Sequence, residues 1–327
     1  MADERGGIEA ICAVCREPAS AADRFCEMCG AELPEQPDPF LDRVEIDLGV
    51  LAGISDRGHV HIRNEDAMAL GRRPEEGLPH TVAAVVCDGV STVRRPELAS
   101  RAASTIALAK LLDDSAEGVP LMLAAVAAAA DAVAQLAPGT RDAPSCTLVA
   151  AVVSGRVDGP PVITVGWVGD SRAYWLAGND NGDGNGNGDV DNGGGNGNGN
   201  GGAARLLTAD HSWAAEMVAA GILDAKAAMR DPRAHAITRW LGADGPPVPA
   251  VMTFSPTEPG VLLLCTDGLW NYEPDAAHLA AVALPTIARE GPRVAVTALT
   301  ALALDAGGRD NVTVVCIPVP IVTASDS

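Results

Sequence analysis

The sequence of 327 residues is long enough for one large domain with a substantial core and for one small additional module. It contains 23 Lys and Arg against 43 Asp and Glu, which gives a formal net charge of −20. This charge argues against nucleic acid and against an anionic membrane surface as partners, because both would repel the chain.

The N-terminal residues MADERGGIEA are charged and lack the apolar segment that is typical of a secretion signal. The longest apolar stretch, 119–137, contains Asp131 and Gln135 and is rich in Ala, which favours a packed helix over a membrane span. These features predict a soluble, cytoplasmic protein.

Four of the eight cysteines form two Cys-x2-Cys turns near the N-terminus; they are Cys12, Cys15, Cys26 and Cys29. Two such turns can present four thiolates to one Zn²⁺ ion, whereas disulfides are unexpected in a reducing cytoplasm. Residues 1–32 are therefore predicted to form a zinc-ribbon-like module that depends on the metal for folding. Residues 33–44 are rich in Pro and acidic residues and are predicted to be a linker.

Residues 45–320 contain strand-like stretches that follow one another through short turns, and helix-like stretches that twice come in succession. This order favours an α+β fold in which antiparallel sheets are covered by pairs of helices, and it differs from a regular strand–helix alternation. The Gly- and Asn-rich tract 178–203 has almost no apolar residues and is predicted to be a disordered insertion. Residues 321–327 are assigned to a tail.

The other four cysteines each lie within an apolar run, and we interpret them as core residues: Cys87, Cys146, Cys265 and Cys316. Cysteine-dependent phosphatases place an Arg six positions after the nucleophile. Arg94 lies seven positions after Cys87, so this mechanism is excluded.

Acidic residues recur next to predicted strands; they are Glu65, Asp66, Asp88, Asp170, Asp267 and Asp310. Each one alone is compatible with a simple turn, since Asp-Gly is a common turn dipeptide. If the strand ends meet, mutual repulsion requires a counter-charge, and oxygen ligands without His or Cys favour Mg²⁺ or Mn²⁺. The pattern therefore indicates a centre for hard divalent cations.

Eight short motifs occur in the order found in the metal-dependent serine/threonine protein phosphatases, the PPM or type 2C family. They are SDRG…NEDA, DGV, CTLVAA, VGDSRAYWL, LTADHSW, ITRWLG, TDGLWN and GGRDNVTVV. The chain resembles this family from about Val44 to Val319, apart from the Gly- and Asn-rich tract. The resemblance implies an α-β-β-α sandwich of two antiparallel sheets between helical pairs, and a centre of two Mn²⁺ or Mg²⁺ ions.

Carried over to this sequence, the resemblance makes Asp88 the bridging ligand and Gly89 a ligand through its carbonyl. Asp267 and Asp310 would hold the first ion, and Asn311 would orient Asp310. These carboxylates would be catalytic through a water molecule that the ions activate, so that no protein nucleophile is required.

The same resemblance implies that three further acids help to bind metal ions. Glu65 and Asp66 would support the second ion, directly or through water, and Asp170 matches the acid that, with Asp267, holds a third ion in bacterial members.

One position departs from the family pattern. Members usually carry an Arg four residues before the Glu of NED, where it binds the substrate phosphate, and here that position is His61. Arg63 lies two residues later, on the same face of an extended strand but about 6 to 7 Å along it. The candidate phosphate contacts are therefore His61 and Arg63, with the hypothesis that phosphate binding is weaker than usual, and more pH-sensitive if protonated His61 replaces the Arg.

The function that the resemblance implies is hydrolysis of phosphoserine and phosphothreonine in proteins, with substrates that a cytoplasmic Ser/Thr kinase phosphorylates or with the kinase itself. The alternative is a weakly active or inactive relative that binds phosphoproteins as a regulatory module. A two-metal nuclease is disfavoured by the net charge of −20. Residues 214–236, which correspond to the segment that influences substrate choice in the family, give no specificity residue by sequence alone.

Overall fold

A computed structural model of the chain describes residues 9–11, 15, 18–20, 26, 28–31, 42–73, 81–113, 116–136, 143–156, 159–178, 204–243 and 248–320. These residues divide between two units, Met1–Asp42 and Arg43–Ser327. Cys12, most of the predicted linker, residues 179–203 of the predicted insertion and the tail 321–327 lie outside the described residues.

The strands of the described residues are β1 (Glu9–Ile11), β2 (Pro18–Ser20), β3 (Arg43–Asp47), β4 (Ala52–Asp56), β5 (Ala67–Arg73), β6 (Thr81–Cys87), β7 (Leu148–Ser154), β8 (Val162–Val168), β9 (Arg172–Ala177), β10 (Arg205–Leu206), β11 (Ala250–Phe254), β12 (Gly260–Cys265) and β13 (Val312–Val319). The helices are α1 (Pro96–Leu111), α2 (Gly118–Ala134), α3 (Trp213–Ala219), α4 (Ala225–Ala228), α5 (Asp267–Trp270), α6 (Ala276–Glu290) and α7 (Pro292–Asp305).

The smaller unit contains a short antiparallel hairpin, in which β1 pairs with β2. Cys26 is buried and begins a tight turn, since Gly30 N–H donates a hydrogen bond to its carbonyl oxygen. Gly30 has a φ of 73°, a conformation that glycine adopts without steric cost.

The larger unit contains two antiparallel sheets. Six strands lie in the order β10-β9-β12-β13-β4-β3, and five lie in the order β11-β8-β7-β6-β5. Strand β6 illustrates why an uninterrupted apolar run forms a central strand: Ala84 and Val86 face the other sheet, while Val85 and Cys87 face the helices. Each buried aliphatic side chain of this kind contributes roughly 1.5–3 kcal/mol to stability.

Pairs of helices cover both outer faces. Helices α1 and α2 pack on the five-stranded sheet, and α6 and α7 pack on the six-stranded sheet. Each pair is a hairpin of consecutive helices; Gly291, with a φ of 84°, ends α6, and Pro292 begins α7. The predicted α-β-β-α sandwich is confirmed, and no helix among the described residues is long and apolar enough to cross a membrane.

Candidate metal centre

Two predicted site residues come from the five-stranded sheet. The register of β5 with β6 pairs Ala67 with Cys87, so Asp66 just before β5 and Asp88 just after β6 emerge at the same edge. The strand end is fixed further by Thr147, whose backbone N–H donates to the Asp88 carbonyl and whose hydroxyl accepts from Asp88 N–H. The antiparallel register therefore brings the two acids together.

Three more acids come from the same end of the six-stranded sheet. Strand β12 pairs Cys265 with Arg172 of β9 and with Val314 of β13. Asp267 lies two residues after Cys265, Asp170 lies two residues before Arg172, and Asp310 precedes β13. The predicted strand ends thus meet across the two sheets.

Asp66 is the most enclosed member of this group. Its Oδ2 accepts hydrogen bonds from the hydroxyls of Thr266 (2.9 Å) and Thr313 (2.8 Å). Burial, together with the negative charges of Asp310 and Asp267, raises the pKa of Asp66 from 3.8 to about 8. The side chain is anchored between the sheets.

Asp88 and Asp267 lie within hydrogen-bonding reach of one another. Burial raises the pKa of Asp88 well above its ordinary value, and the surrounding acids raise it further. Burial and Asp310 raise the pKa of Asp267 to about 6, against the opposing effect of hydrogen bonds from Asp88 and from Asn271. Both shifts express the cost of holding carboxylates together away from water.

Asp170 is buried beside Asp267, and burial raises its pKa to about 8. The neighbouring guanidinium of Arg172 is directed to Asp210, with N–O distances of 3.0 and 2.7 Å. Trp270 Nε1 donates to the Asp170 carbonyl at 3.0 Å, which holds this strand end against α5.

Gly89 lies in a position that excludes a side chain. A Cβ atom there would come within 2.6 Å of the Glu65 carbonyl oxygen and 2.9 Å of the Pro96 Cβ. This close approach joins the end of β6 to the segment that carries Glu65 and Asp66.

Asn311 connects the loop between β4 and β5 to the segment that precedes β13. Its side-chain amide donates to the carbonyls of Arg57 (2.7 Å) and Arg63 (3.1 Å), and its Oδ1 accepts from the Glu65 N–H at 2.7 Å. Asn311 N–H also donates to Asp310 Oδ1 at 2.8 Å. These contacts hold the loop that carries Glu65 against Asp310, and the orienting role of Asn311 stays a prediction.

Glu65 and the two candidate phosphate contacts have different surroundings. The Glu65 carboxylate accepts a hydrogen bond from Ser91 Oγ at 2.6 Å. His61 Nε2 lies 3.2 Å from Asp310 Oδ1, whereas Arg63 Nη1 lies 3.5 Å from the buried Glu97 carboxylate. His61 therefore contacts an acid of the centre, whereas the Arg63 guanidinium is paired with Glu97.

The acids open into a cavity of about 550 Å³. Asp88, Gly89, Asp170, Asp267 and Asp310 lie along it. The remaining walls, whose side chains the sequence did not identify, come from residues 90–93 after β6, from residues between 143 and 147 before β7, and from residues between 235 and 243 before β11. The DGV and ITRWLG motifs mark the first and last of these segments, but no local signal in the sequence indicates which side chains face the cavity.

The donor set fits hard cations. Burial raises the pKa of Asp66, Asp88, Asp170 and Asp267, which shows that each lacks a full counter-charge. Within the described part of the chain, no Lys or Arg forms an ion pair with any of the four. Groups of three ligand atoms within 4.8 Å of one another, as a single ion needs, occur among the described residues only at the N-terminal cysteines. The carboxylates are spread more widely than this in the structure, so it is their oxygen-only chemistry and their burial that fit hard cations.

The N-terminal cysteine sulfurs form a second cluster. The sulfurs of Cys15, Cys26 and Cys29 all lie within 4.8 Å of one another, and the Cys15–Cys26 distance is 3.5 Å. This distance is too long for a disulfide and fits a shared metal ion.

Comparison with known proteins shows which proteins the chain resembles. No family model matches the sequence. The chain is 29% identical over 271 residues to the serine/threonine protein phosphatase PstP of Mycobacterium tuberculosis, which covers 81% of this chain and 44% of PstP. A crystal structure of the PPM Ser-Thr phosphatase MsPP from Mycobacterium smegmatis superposes with a TM-score of 0.59 and 28% identity, over 82% of this chain and 97% of MsPP. The chain is therefore similar in sequence and in fold to a PPM Ser-Thr phosphatase.

A second similar structure contains metal ions. The catalytic domain of PstP in complex with two manganese ions superposes with a TM-score of 0.59 and 25% identity, over 84% of this chain and 98% of that domain. This chain spans about half the length of the curated relatives that it matches.

Proposed function

We propose that this protein is a metal-dependent phosphatase of the PPM type, which hydrolyses phosphoserine and phosphothreonine in proteins. The observation that carries the proposal is the group of buried carboxylates around one cavity, with raised pKa values and no ion pair to Lys or Arg among the described residues. The names of the relatives and the two manganese ions in the PstP structure support it.

Asp88, Asp267, Asp310 and the Gly89 carbonyl would hold two Mn²⁺ or Mg²⁺ ions, and Asp170 would hold a third with Asp267. When bound, such ions ionise a water molecule near neutral pH and offset the charge on the phosphoryl oxygens.

The chain itself positions these ligands. Asn311 fixes Asp310 and the Glu65 backbone, Ser91 holds the Glu65 side chain, and Thr266 and Thr313 hold Asp66. None of these residues needs to form a covalent bond to phosphorus. Cys87 is unsuited to that task, because it is fully buried and burial raises the pKa of its thiol.

Phosphorylated proteins are the substrates proposed, either targets of a Ser/Thr kinase or the kinase itself. The cytoplasmic location stays a prediction.

The decisive assay measures hydrolysis of p-nitrophenyl phosphate by the full chain with EDTA, Mg²⁺ or Mn²⁺. We expect hydrolysis only with a divalent ion, and a loss of at least about a hundredfold in Asp267→Asn, because a ligand is removed from the centre. Asp305→Asn, an exposed acid at the end of α7, is the matched control and should keep the wild-type rate. Release of phosphate from phosphoserine and phosphothreonine peptides then tests the substrate class. A wild-type chain that is inert with both ions would overturn the proposal.

One observation favours the weakly active alternative: no Lys or Arg lines the cavity among the described residues, and Arg63 is paired with Glu97. His61 is then the candidate phosphate contact, and we expect His61→Ala to raise the KM for p-nitrophenyl phosphate several-fold with little change in kcat. An unchanged KM would remove His61 from the site. Phosphopeptide binding without turnover would favour the regulatory module.

For the N-terminal unit we propose one structural Zn²⁺ ion held by Cys15, Cys26, Cys29 and, as the fourth ligand, Cys12. Elemental analysis of the purified full chain should find one zinc per chain, reduced to a small fraction in Cys26→Ser. The Cys316→Ser variant controls for cysteine loss, because Cys316 is a core residue of β13. Equal zinc content in Cys26→Ser and wild type would contradict the site.

A further inference from the structure

Glu97 is a buried acid beside the centre that the proposed chemistry does not use. It lies in the first turn of α1 and is 7% exposed. The preceding residue, Pro96, packs against Gly89, since a Cβ atom on Gly89 would lie 3.1 Å from the Pro96 carbonyl carbon. One turn later, the Ser100 hydroxyl donates a hydrogen bond to the Glu65 carbonyl at 2.5 Å. The start of α1 is thus packed against two segments of the centre.

The two carboxylate oxygens of Glu97 have different surroundings. Oε1 accepts a hydrogen bond from Arg95 Nε at 3.3 Å and lies 3.5 Å from Arg63 Nη1. Oε2 is buried and has no hydrogen-bond partner among the described residues. Two guanidinium groups therefore share one oxygen, and the strong arrangement that uses both carboxylate oxygens is not formed.

Arg95 reaches Glu97 from an uncommon backbone conformation. Its φ is 55°, and no other non-glycine residue in the described ranges has a positive φ. Arg95 immediately precedes α1, and its side chain contacts Glu97 two residues later. Because this contact uses the same Glu97 oxygen, Arg63 is held by less than a full counter-charge.

Arg63 is close enough to the centre to exchange this partner for a substrate. Its carbonyl accepts a hydrogen bond from Asn311 Nδ2, it lies two residues before Glu65, and its side chain is 40% exposed. A phosphate monoester carries about two negative charges near neutral pH and three strong acceptor oxygens. A shared oxygen of Glu97 is a weaker partner for a guanidinium than such a phosphate.

We propose that Glu97 holds Arg63 away from the substrate phosphate and thereby lowers the affinity of the centre for phosphate monoesters. This inference rests on the proposed phosphatase function and deepens it, since it assigns the control of substrate affinity to one residue. Glu97 is a positioning residue, because it acts through Arg63 and does not touch the phosphate. Arg63 has to leave Glu97 before it can bind the substrate, and the loss of that contact offsets part of the binding free energy.

The test uses the full chain with Mn²⁺, p-nitrophenyl phosphate as substrate and inorganic phosphate as competitive inhibitor. The variants are Glu97→Gln, Arg63→Ala and the double variant E97Q/R63A. Glutamine keeps the size of Glu97 and an oxygen that can accept from Arg95, but removes the charge that holds Arg63. Glu290→Gln is the matched control, because Glu290 is an exposed acid at the end of α6.

For Glu97→Gln we expect the KM and the inhibition constant of phosphate to fall about two- to fivefold, with kcat within about twofold of wild type, since a partly exposed ion pair is weak. Arg63→Ala alone should change KM by less than about twofold, because Arg63 is already held by Glu97. E97Q/R63A should have a KM close to that of wild type, because the side chain that the first substitution releases is absent. Glu290→Gln should match wild type.

The inference is overturned if KM stays the same or rises in Glu97→Gln, because Glu97 would then not oppose phosphate binding. An equal fall of KM in Glu97→Gln and E97Q/R63A also overturns it, since the effect would come from the charge of Glu97 without Arg63. Should Glu97→Gln fail to fold, Arg63→Ala decides alone: a several-fold rise in KM would show that Arg63 binds phosphate despite Glu97. Failure of the proposed function has a different result, namely no metal-dependent hydrolysis by wild type.

Discussion

The strands of the sandwich end in acidic residues on one side of the molecule and in proline and aliphatic residues on the other. Strand β13 follows Asp310 and is itself followed by Pro320, and β12 begins at Gly260 and leads into Asp267. At the end opposite the acids, Val50, Pro320 and their neighbours line an apolar cleft of about 240 Å³. The same strands therefore have two chemically distinct ends.

The difference shows which residues the fold itself requires. A strand end needs only a turn, and the cleft at the apolar end is lined mainly by valine, proline and glycine. The acidic end meets it with carboxylates whose burial and mutual repulsion raise the pKa of Asp66 and Asp170 to about 8. That arrangement opposes folding unless a cation is bound, so the acids belong to the chemistry of the centre.

The largest contrast is expected on β13 itself. Asp310→Asn should lower metal-dependent phosphatase activity at least about a hundredfold, because it removes a proposed ligand. Pro320→Ala, at the other end of the strand, should leave the rate within about twofold, since Pro320 is exposed and remote from the cavity. Steady-state kinetics with Mn²⁺ checks both variants. Similar losses of activity in the two would contradict the functional difference between the two ends of β13.

The next effect is on the stability of the metal-free protein. The native pKa values of Asp267, about 6, and of Asp66 and Asp170, about 8, lie above the ordinary 3.8. Between pH 4 and 8 the native state therefore binds more protons than the unfolded state, and the free energy of unfolding falls as pH rises. His211, with a pKa lowered to about 4, acts in the opposite direction below pH 6.5, so the informative range is pH 6.5 to 8.5.

Over that range we expect the Tm in EDTA to fall by about 5 °C or more, and Mn²⁺ to restore it. Tryptophan fluorescence follows the larger unit alone, because all five Trp residues lie in it. The Asp170→Asn variant should show a smaller fall than wild type. A Tm that rises with pH in EDTA would mean that the acids are not held together in the native state.

A smaller effect is expected where the backbone packs tightly. Gly89→Ala places a Cβ atom 2.6 Å from the Glu65 carbonyl oxygen, which must displace Asp88 or the Glu65 segment. We expect an activity loss of about tenfold or more, since small misplacements of ligands are costly. Gly178→Ala, where a Cβ meets nothing within 4 Å, is the control and should behave as wild type. Equal activities would show that the centre tolerates movement.

The smallest effect is expected at the apolar end. Val50 is 38% exposed, so Val50→Ser removes little buried surface and should lower the Tm by only about 2 °C. Phosphatase activity should stay within about twofold of wild type. A loss comparable to that of Asp310→Asn would reveal coupling between the two ends and contradict their independence.

Much of the fold was predictable because its signals are local. Apolar runs of strand length and two pairs of successive helical stretches predict antiparallel sheets covered by helices, and acids next to the predicted strands predict the members of the centre. The eight ordered motifs predict the family. The sequence by itself therefore determined the layers, the candidate ligands and the kind of cation that they suit, since residue type and period are written along the chain.

Tertiary structure alone decided how these residues are arranged. It buried Asp66 between Thr266 and Thr313, directed Arg63 to Glu97 and brought His61 to Asp310. It also built the cavity walls from segments far apart in sequence. These outcomes depend on contacts across the two sheets, which local periodicity does not encode.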